Sequence, residues 1–150
     1  MTAKKIWTGI AGEHYVAAEL NVREITTALT MKNTEMVDIL ASNRNGSVSR
    51  SIQVKTTENK TANWTLTSKS EKGASENLFY VFVHLRGECK RPDFYVVPSL
   101  VVAEYIAACH RVYMETPKKN GELKKDSTRR GFDASHESEY FEAWSLLGLS

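Results

Sequence analysis

Two short segments decide the fold of this chain: residues 37–41 read Val-Asp-Ile-Leu-Ala, and residues 51–55 read Ser-Ile-Gln-Val-Lys. Both alternate apolar and polar residues, as strands do when one face of a sheet is buried. The segment Asn43-Arg44-Asn45-Gly46 between them is typical of a turn. The two segments are therefore predicted to form an antiparallel β-hairpin.

The register of the hairpin follows from its apolar residues. Pairing Ile39 with Ile52, and Val37 with Val54, places all four side chains on one face of the sheet. A slip of one residue would expose the isoleucines and bury charged side chains, so the register is strongly specified. The opposite face then carries the polar residues of both strands.

On this polar face the same register places Asp38 opposite Gln53, with Lys55 diagonal to the acid. Such side chains could simply be solvated, as on any sheet with one wet face. Leu40 shares the face, however, and helical patterns precede and follow the hairpin, so we expect both faces to be covered. Glu13 falls in the apolar stripe of the first predicted helix. A helix packed on the polar face would bring this carboxylate toward Asp38 and Lys55.

The rest of the chain is predicted to alternate strands and helices. Helical spacing of apolar residues indicates helices over residues 9–22, from Pro98 onward, and over residues 135–147. Strand patterns fall at residues 25–31, 36–42, 49–57, 63–67, 78–85 and 94–97. The sequence therefore predicts one α/β domain over residues 1–150, with a mixed, mostly antiparallel central sheet flanked by helices.

Composition excludes several classes of protein. Of the 150 residues, 41% are hydrophobic and 25% are charged, so a folded core is expected. No apolar stretch reaches the roughly 20 residues of a membrane span, and no secretory pattern follows Met1, so we expect a cytoplasmic protein. The two cysteines form no C-x-x-C pair, and the four histidines show no zinc-binding spacing.

Charge is distributed unevenly along the chain, despite a formal net charge of +2. Basic residues concentrate in the regions 44–72 and 118–130. Solvated loops explain this pattern well in the second region, which is rich in turn residues. The alternative is a surface that contacts phosphate groups, for which the candidates are Lys69, Lys72, Arg129 and Arg130.

Three motifs of the sequence resemble those of the PD-(D/E)XK nuclease superfamily, whose members share the restriction-endonuclease-like fold. The motifs are Gly12-Glu13, residues 37–40 and residues 52–55, in that order, and they lie within residues 9–57. The Gln-x-Lys motif is similar to the form found in the Mrr-type branch of restriction endonucleases. The resemblance implies a metal-dependent DNA endonuclease of restriction or repair, with DNA as partner and Mg²⁺ or Mn²⁺ as cofactor.

The resemblance also implies a role for each site residue. Asp38 would be the main metal ligand, joined by the Val54 carbonyl and Glu13. Gln53 would orient its neighbours. Lys55 would orient or help to deprotonate the attacking water, and would stabilise charge on the phosphate in the transition state. A homodimer would suit cleavage of the two strands of a duplex.

Two departures from the superfamily pattern leave a second interpretation open. Gln53 stands where the common motif has an acid, which removes a negative charge and a strong metal ligand. An additional predicted strand at 63–67 and a Lys/Ser/Gly segment at 68–75 interrupt the usual order of elements. The alternative is a catalytically inactive nuclease-like fold that binds nucleic acid or a protein partner.

Overall fold

The computed structural model describes residues 2–31 and 35–150. The helices among them are α1 (Ala3–Val22), α2 (Lys69–Lys72) and α3 (Ser99–Glu115), followed by a short 3-10 helix (Trp144–Leu147). The strands are β1 (Thr26–Leu29), β2 (Ile39–Ser42), β3 (Ser49–Thr57), β4 (Asn63–Thr67), β5 (Leu78–His84), β6 (Asp93–Pro98) and β7 (Arg129–Asp133). No helix within these described ranges is long and apolar enough to cross a membrane.

The central sheet has the strand order β1-β2-β3-β5-β6. Its neighbouring strands are antiparallel except β3 and β5, which run parallel. A parallel neighbour requires a crossover connection, and β4 with α2 provides it. The predicted mixed, mostly antiparallel sheet with flanking helices is therefore confirmed.

The hairpin of β2 and β3 has the predicted register at its core. The two strands pair antiparallel with Ile39 opposite Ile52. Both side chains are fully buried, in the same apolar cluster as Val16 of α1. The ladder ends at this pair, so β2 is shorter than predicted, and the predicted pairing of Val37 with Val54 is not formed.

A second layer covers the opposite face of the central sheet. β4 leaves that sheet and pairs with β7 in a separate two-stranded sheet. Aromatic rings join the sheets: Phe82 of β5 stacks on Phe132 of β7, with 4.3 Å between ring centroids, and lies 5.0 Å from Trp64 of β4. Val102 and Ile106 of α3 belong to the same cluster. The additional predicted strand thus lies beside the central sheet and does not interrupt it.

The helix predicted over residues 135–147 is wrong. Much of this segment runs along β6, to which two backbone hydrogen bonds of 2.9 Å join it, and only its end forms the 3-10 helix. Its aromatic residues also divide between the two faces of the central sheet. Tyr140 packs on the α3 side and Trp144 on the α1 side. Their spacing therefore does not describe one apolar face of a helix.

Two other boundaries differ from the prediction for simple reasons. α1 starts at Ala3, earlier than the predicted residue 9. Its first two turns are mostly exposed and carry no apolar pattern, so the sequence does not indicate them. β7 has no counterpart in the prediction, since Phe132 is the buried member of its five residues. A single buried side chain leaves no alternation to read.

A group of ion pairs, which we call the Arg91 cluster, joins three distant parts of the chain. Arg91, between β5 and β6, donates to Glu19 of α1 at 2.8 and 2.9 Å, and also to Glu142. Arg23 pairs with Glu19 at 2.8 Å and lies over the ring of Trp144. The Arg91 guanidinium holds the pKa of Glu19 below its ordinary value, and Arg23 adds to this effect.

Candidate active site

Asp38 lies directly before β2, where the pairing with β3 ends. Its backbone N–H donates to the Ile52 carbonyl at 2.8 Å, although the ladder pairs Ile52 with Ile39. Two consecutive residues therefore face one residue of β3, as in a β-bulge. A bulge redirects the side chain, and here the carboxylate of Asp38 turns to the edge of β3 that β2 leaves open.

The Asp38 carboxylate is bound to β3 by two hydrogen bonds. Its Oδ2 accepts from the Val54 backbone N–H at 2.7 Å and from the Gln53 side-chain amide at 2.6 Å. Burial raises the pKa of Asp38 above its ordinary value, while that backbone N–H, the Lys55 ammonium and the Gln53 amide offset part of the rise. The structure thus brings together the acid, the amide and the lysine that the sequence singles out.

The Val54 carbonyl points to the same open edge as Asp38. In a strand, the N–H and C=O of one residue lie on the same side, and the Val54 N–H faces the Asp38 carboxylate. Along this edge, the ladder with β2 reaches no further than Ile39 within the described part of the chain. A carboxylate and a backbone carbonyl therefore flank one place at the edge of the sheet.

A cavity of about 600 Å³, which we call the edge pocket, opens over this place. Residues of α1, β3 and β4 form its walls. Its lining includes each predicted catalytic or metal-binding residue: Glu13, Asp38, Gln53, Val54 and Lys55. The structure therefore brings the residues of all three motifs to one pocket.

Glu13 comes to the edge pocket by a different route from the predicted one. α1 packs on the apolar face of the hairpin, where Val16 and Ile52 share a cluster, and not on its polar face. Gly12 permits a close approach, since a Cβ at this residue would lie 1.8 Å from Thr56 Oγ1. α1 therefore runs tightly along β3, and Glu13 lines the pocket from the side.

A second cavity, of about 510 Å³, shares Gln53 and Lys55 with the edge pocket. We call it the α2 pocket, because α2 contributes Lys69 and Lys72 to its lining. Tyr80 of β5 lines it as well, since the parallel pairing of β3 with β5 places this residue beside Gln53. Tyr80 lies in an uninterrupted buried strand, so its sequence context carries no signal of function.

The two predicted basic residues of β7 differ in their surroundings. Arg130 forms an ion pair with Glu71 and donates to two backbone carbonyls, and its side chain is only 8% exposed. This arginine stabilises the contact of β7 with α2, so we remove it from the candidate phosphate contacts. Arg129 is exposed and keeps its place among them.

The edge pocket offers oxygen ligands that suit a hard divalent cation. Asp38 and Glu13 supply carboxylate oxygens and Val54 a carbonyl oxygen, which Mg²⁺ and Mn²⁺ prefer. Within residues 2–31 and 35–150, no group of three or more His, Cys, Asp or Glu side chains could hold a metal. Two carboxylates and one carbonyl would leave the other positions of an octahedral Mg²⁺ to waters and a substrate phosphate.

This chain is similar to known proteins in its three-dimensional structure. No protein-family model matches it, and no curated protein matches its sequence. The fold is similar to that of a bacterial homing endonuclease, I-Ssp6803I: the match covers 99% of this chain and 94% of that chain, at 16% sequence identity and a TM-score of 0.55. This is the restriction-endonuclease-like fold.

This likeness confirms the predicted fold class, a restriction-endonuclease-like α/β fold. A Holliday junction resolvase, Hjc, from the archaeal hyperthermophile Archaeoglobus fulgidus also matches. That match covers 85% of this chain and 89% of the resolvase, at 15% identity and a TM-score of 0.42.

Proposed function

We propose that this protein is a metal-dependent DNA endonuclease that hydrolyses phosphodiester bonds at the edge pocket. The observation that carries the proposal is the position of Asp38, which is bound at the open edge of β3 in the pocket that Lys55 also lines. The fold shared with a homing endonuclease supports the same class of reaction by analogy.

The cation would be held by Asp38, the Val54 carbonyl and Glu13. Both hydrogen bonds described for the Asp38 carboxylate go to Oδ2, so we assign Oδ1 to the metal. Bound there, Mg²⁺ or Mn²⁺ would polarise the phosphate and lower the pKa of an attacking water. The Gln53 amide keeps the Asp38 carboxylate in position through its hydrogen bond of 2.6 Å.

Hydrolysis joins the oxygen of a water molecule to phosphorus and breaks the bond from phosphorus to one sugar oxygen. The water loses a proton, and the leaving oxygen gains one. We assign to Lys55 the orientation of this water and the stabilisation of negative charge on the phosphate, because Lys55 lines the edge pocket and its charge acts on Asp38.

DNA is the proposed partner. We assign the contacts with its backbone to three exposed cations, Lys69, Lys72 and Arg129. A homodimer with two edge pockets would serve cleavage of both strands of a duplex. The mass of the protein in light scattering tests that prediction.

A catalytically inactive nuclease-like fold is the second candidate. Gln53 favours it, because a neutral amide replaces the acid of the common motif and the site has one strong ligand fewer. In this case the chain binds nucleic acid or a protein partner without cutting.

Incubation with supercoiled plasmid, linear DNA and branched DNA, in Mg²⁺, Mn²⁺ or a chelator, separates the two candidates. We expect nicking that requires the metal and that is lost in Asp38→Asn and in Lys55→Met. Lys90→Met is the control, because Lys90 is exposed and lines neither the edge pocket nor the α2 pocket. Nicking that persists in Asp38→Asn would contradict the proposal. Salt-sensitive DNA binding without any nicking would support the inactive fold.

A further inference from the structure

We propose that the α2 pocket binds a phosphodiester group of the substrate strand next to the one that is cleaved, with Lys69 and Lys72 as its contacts. The inference rests on the proposed function, because it takes the edge pocket as the place of cleavage. Gln53 and Lys55 line both pockets, so a strand that leaves the edge pocket over Lys55 enters the α2 pocket directly.

The two pockets differ in charge. The edge pocket is lined by two lysines and by three carboxylates, those of Glu13, Asp38 and Glu58. In the α2 pocket lysines outnumber carboxylates. Its described lining residues include three lysines and the carboxylate of Glu35. A phosphate is therefore repelled by the edge pocket until a cation is bound there, whereas the α2 pocket attracts it directly.

The lysines of α2 are available to a ligand. Lys69 Nζ lies 3.4 Å from Glu35 Oε1, but the two side chains are 75% and 84% exposed, and such exposed pairs contribute little to stability. Lys72 is exposed on the same short helix. A phosphate can therefore replace Glu35 as the partner of Lys69 at small cost.

Fluorescence anisotropy with a labelled short duplex, in a chelator and at several salt concentrations, tests the inference without requiring cleavage. The variant Lys69→Met/Lys72→Met is compared with Lys118→Met/Lys119→Met. The control also removes two exposed lysines, one of which lies 3.4 Å from a carboxylate. We expect only the first variant to bind more weakly and to have a salt slope lower by about 1 to 2, because each lost phosphate contact removes about 0.9.

Equal affinities and equal salt slopes of the two lysine double variants would overturn the inference. The nicking assay in Mg²⁺ is a separate test of the proposed function. If the parent protein nicks DNA and the two double variants bind alike, the α2 pocket is rejected and the endonuclease stands. If the parent protein binds DNA through the α2 pocket but never nicks it, the endonuclease is rejected and the pocket stands as a site for the DNA backbone.

Discussion

The two faces of β3 serve different purposes. Ile52 and Val54 face α1 and are buried with its apolar side chains. Gln53 and Lys55 alternate with them, point to the other face and line both the edge pocket and the α2 pocket. Alternation along a strand therefore separates the residues that stabilise this fold from those to which we assign its chemistry. Substitutions on the two faces should change stability and activity independently.

The largest effect is expected on the apolar face. Ile52→Ala should lower the free energy of unfolding by about 2–5 kcal/mol, because it leaves a cavity at a fully buried residue. Ile52→Val, the conservative control, should cost about 0.5–1.5 kcal/mol. Urea denaturation measures both. If Ile52→Ala unfolds like the parent protein, the division between the faces is not real.

On the polar face, Lys55→Met should reduce the rate of DNA nicking by about 10²–10³-fold, the cost of losing one group that stabilises charge in the transition state. Its free energy of unfolding should stay within about 0.5 kcal/mol of the parent value, because Lys55 is only half-buried. Nicking assays and denaturation of the same preparation provide the comparison. A large loss of stability would show that Lys55 supports the fold as well.

The contact between α1 and β3 can be tested at two glycines of the same helix. Gly12→Ala should lower the free energy of unfolding by about 1–3 kcal/mol, because the new Cβ would lie 1.8 Å from Thr56 Oγ1. Gly9→Ala should be neutral or slightly stabilising, since a Cβ there meets no atom within 4 Å and alanine favours a helix. Thermal denaturation distinguishes the two, and equal effects would argue against the close approach.

The smallest effect is a gain in stability from Asp38→Asn. Burial raises the pKa of Asp38 in the folded protein, so the ionised acid destabilises the fold as pH rises from the unfolded-state pKa through the folded-state pKa. Asparagine stays neutral, so we expect the variant to be more stable than the parent near pH 7. The difference should vanish at about pH 3, where both forms are uncharged. Melting temperatures of the variant and the parent over this pH range test the prediction. A variant that is less stable than the parent near pH 7 would contradict it.

Alternation is also the reason why part of the structure could be predicted from sequence. The bounds of β3 and β4 agree with the predicted strands at 49–57 and 63–67, and the pairing of Ile39 with Ile52 follows from burial of one face. The prediction of Asp38, Gln53 and Lys55 as one group also rests on that register, although in the structure Asp38 reaches Gln53 from the bulge that precedes β2. Glu13 joins them in the prediction through a helix on the polar face, whereas α1 packs on the apolar face.

Other features of the site depend on contacts that no local pattern expresses. The bulge that turns Asp38 to the edge of β3 arises where β2 stops, and alternation predicted a longer strand. Tyr80 lies beside Gln53 only because β5 pairs with β3 across a crossover. The sequence predicts Arg130 to be a surface cation, because its partner Glu71 is distant in the chain and no local pattern indicates the pair.

The Arg91 cluster described above has a consequence for how the domain opens. Its hydrogen bonds join residues that are 72 and 51 positions apart in sequence, Arg91 with Glu19 and with Glu142. In the folded protein the cluster therefore joins the end of α1 to residues 140–147, which are far from it in sequence. Amide hydrogens at the end of α1 and in residues 140–147 should therefore exchange with solvent deuterium as one cooperative unit, and Arg91→Ala should make the two segments exchange independently.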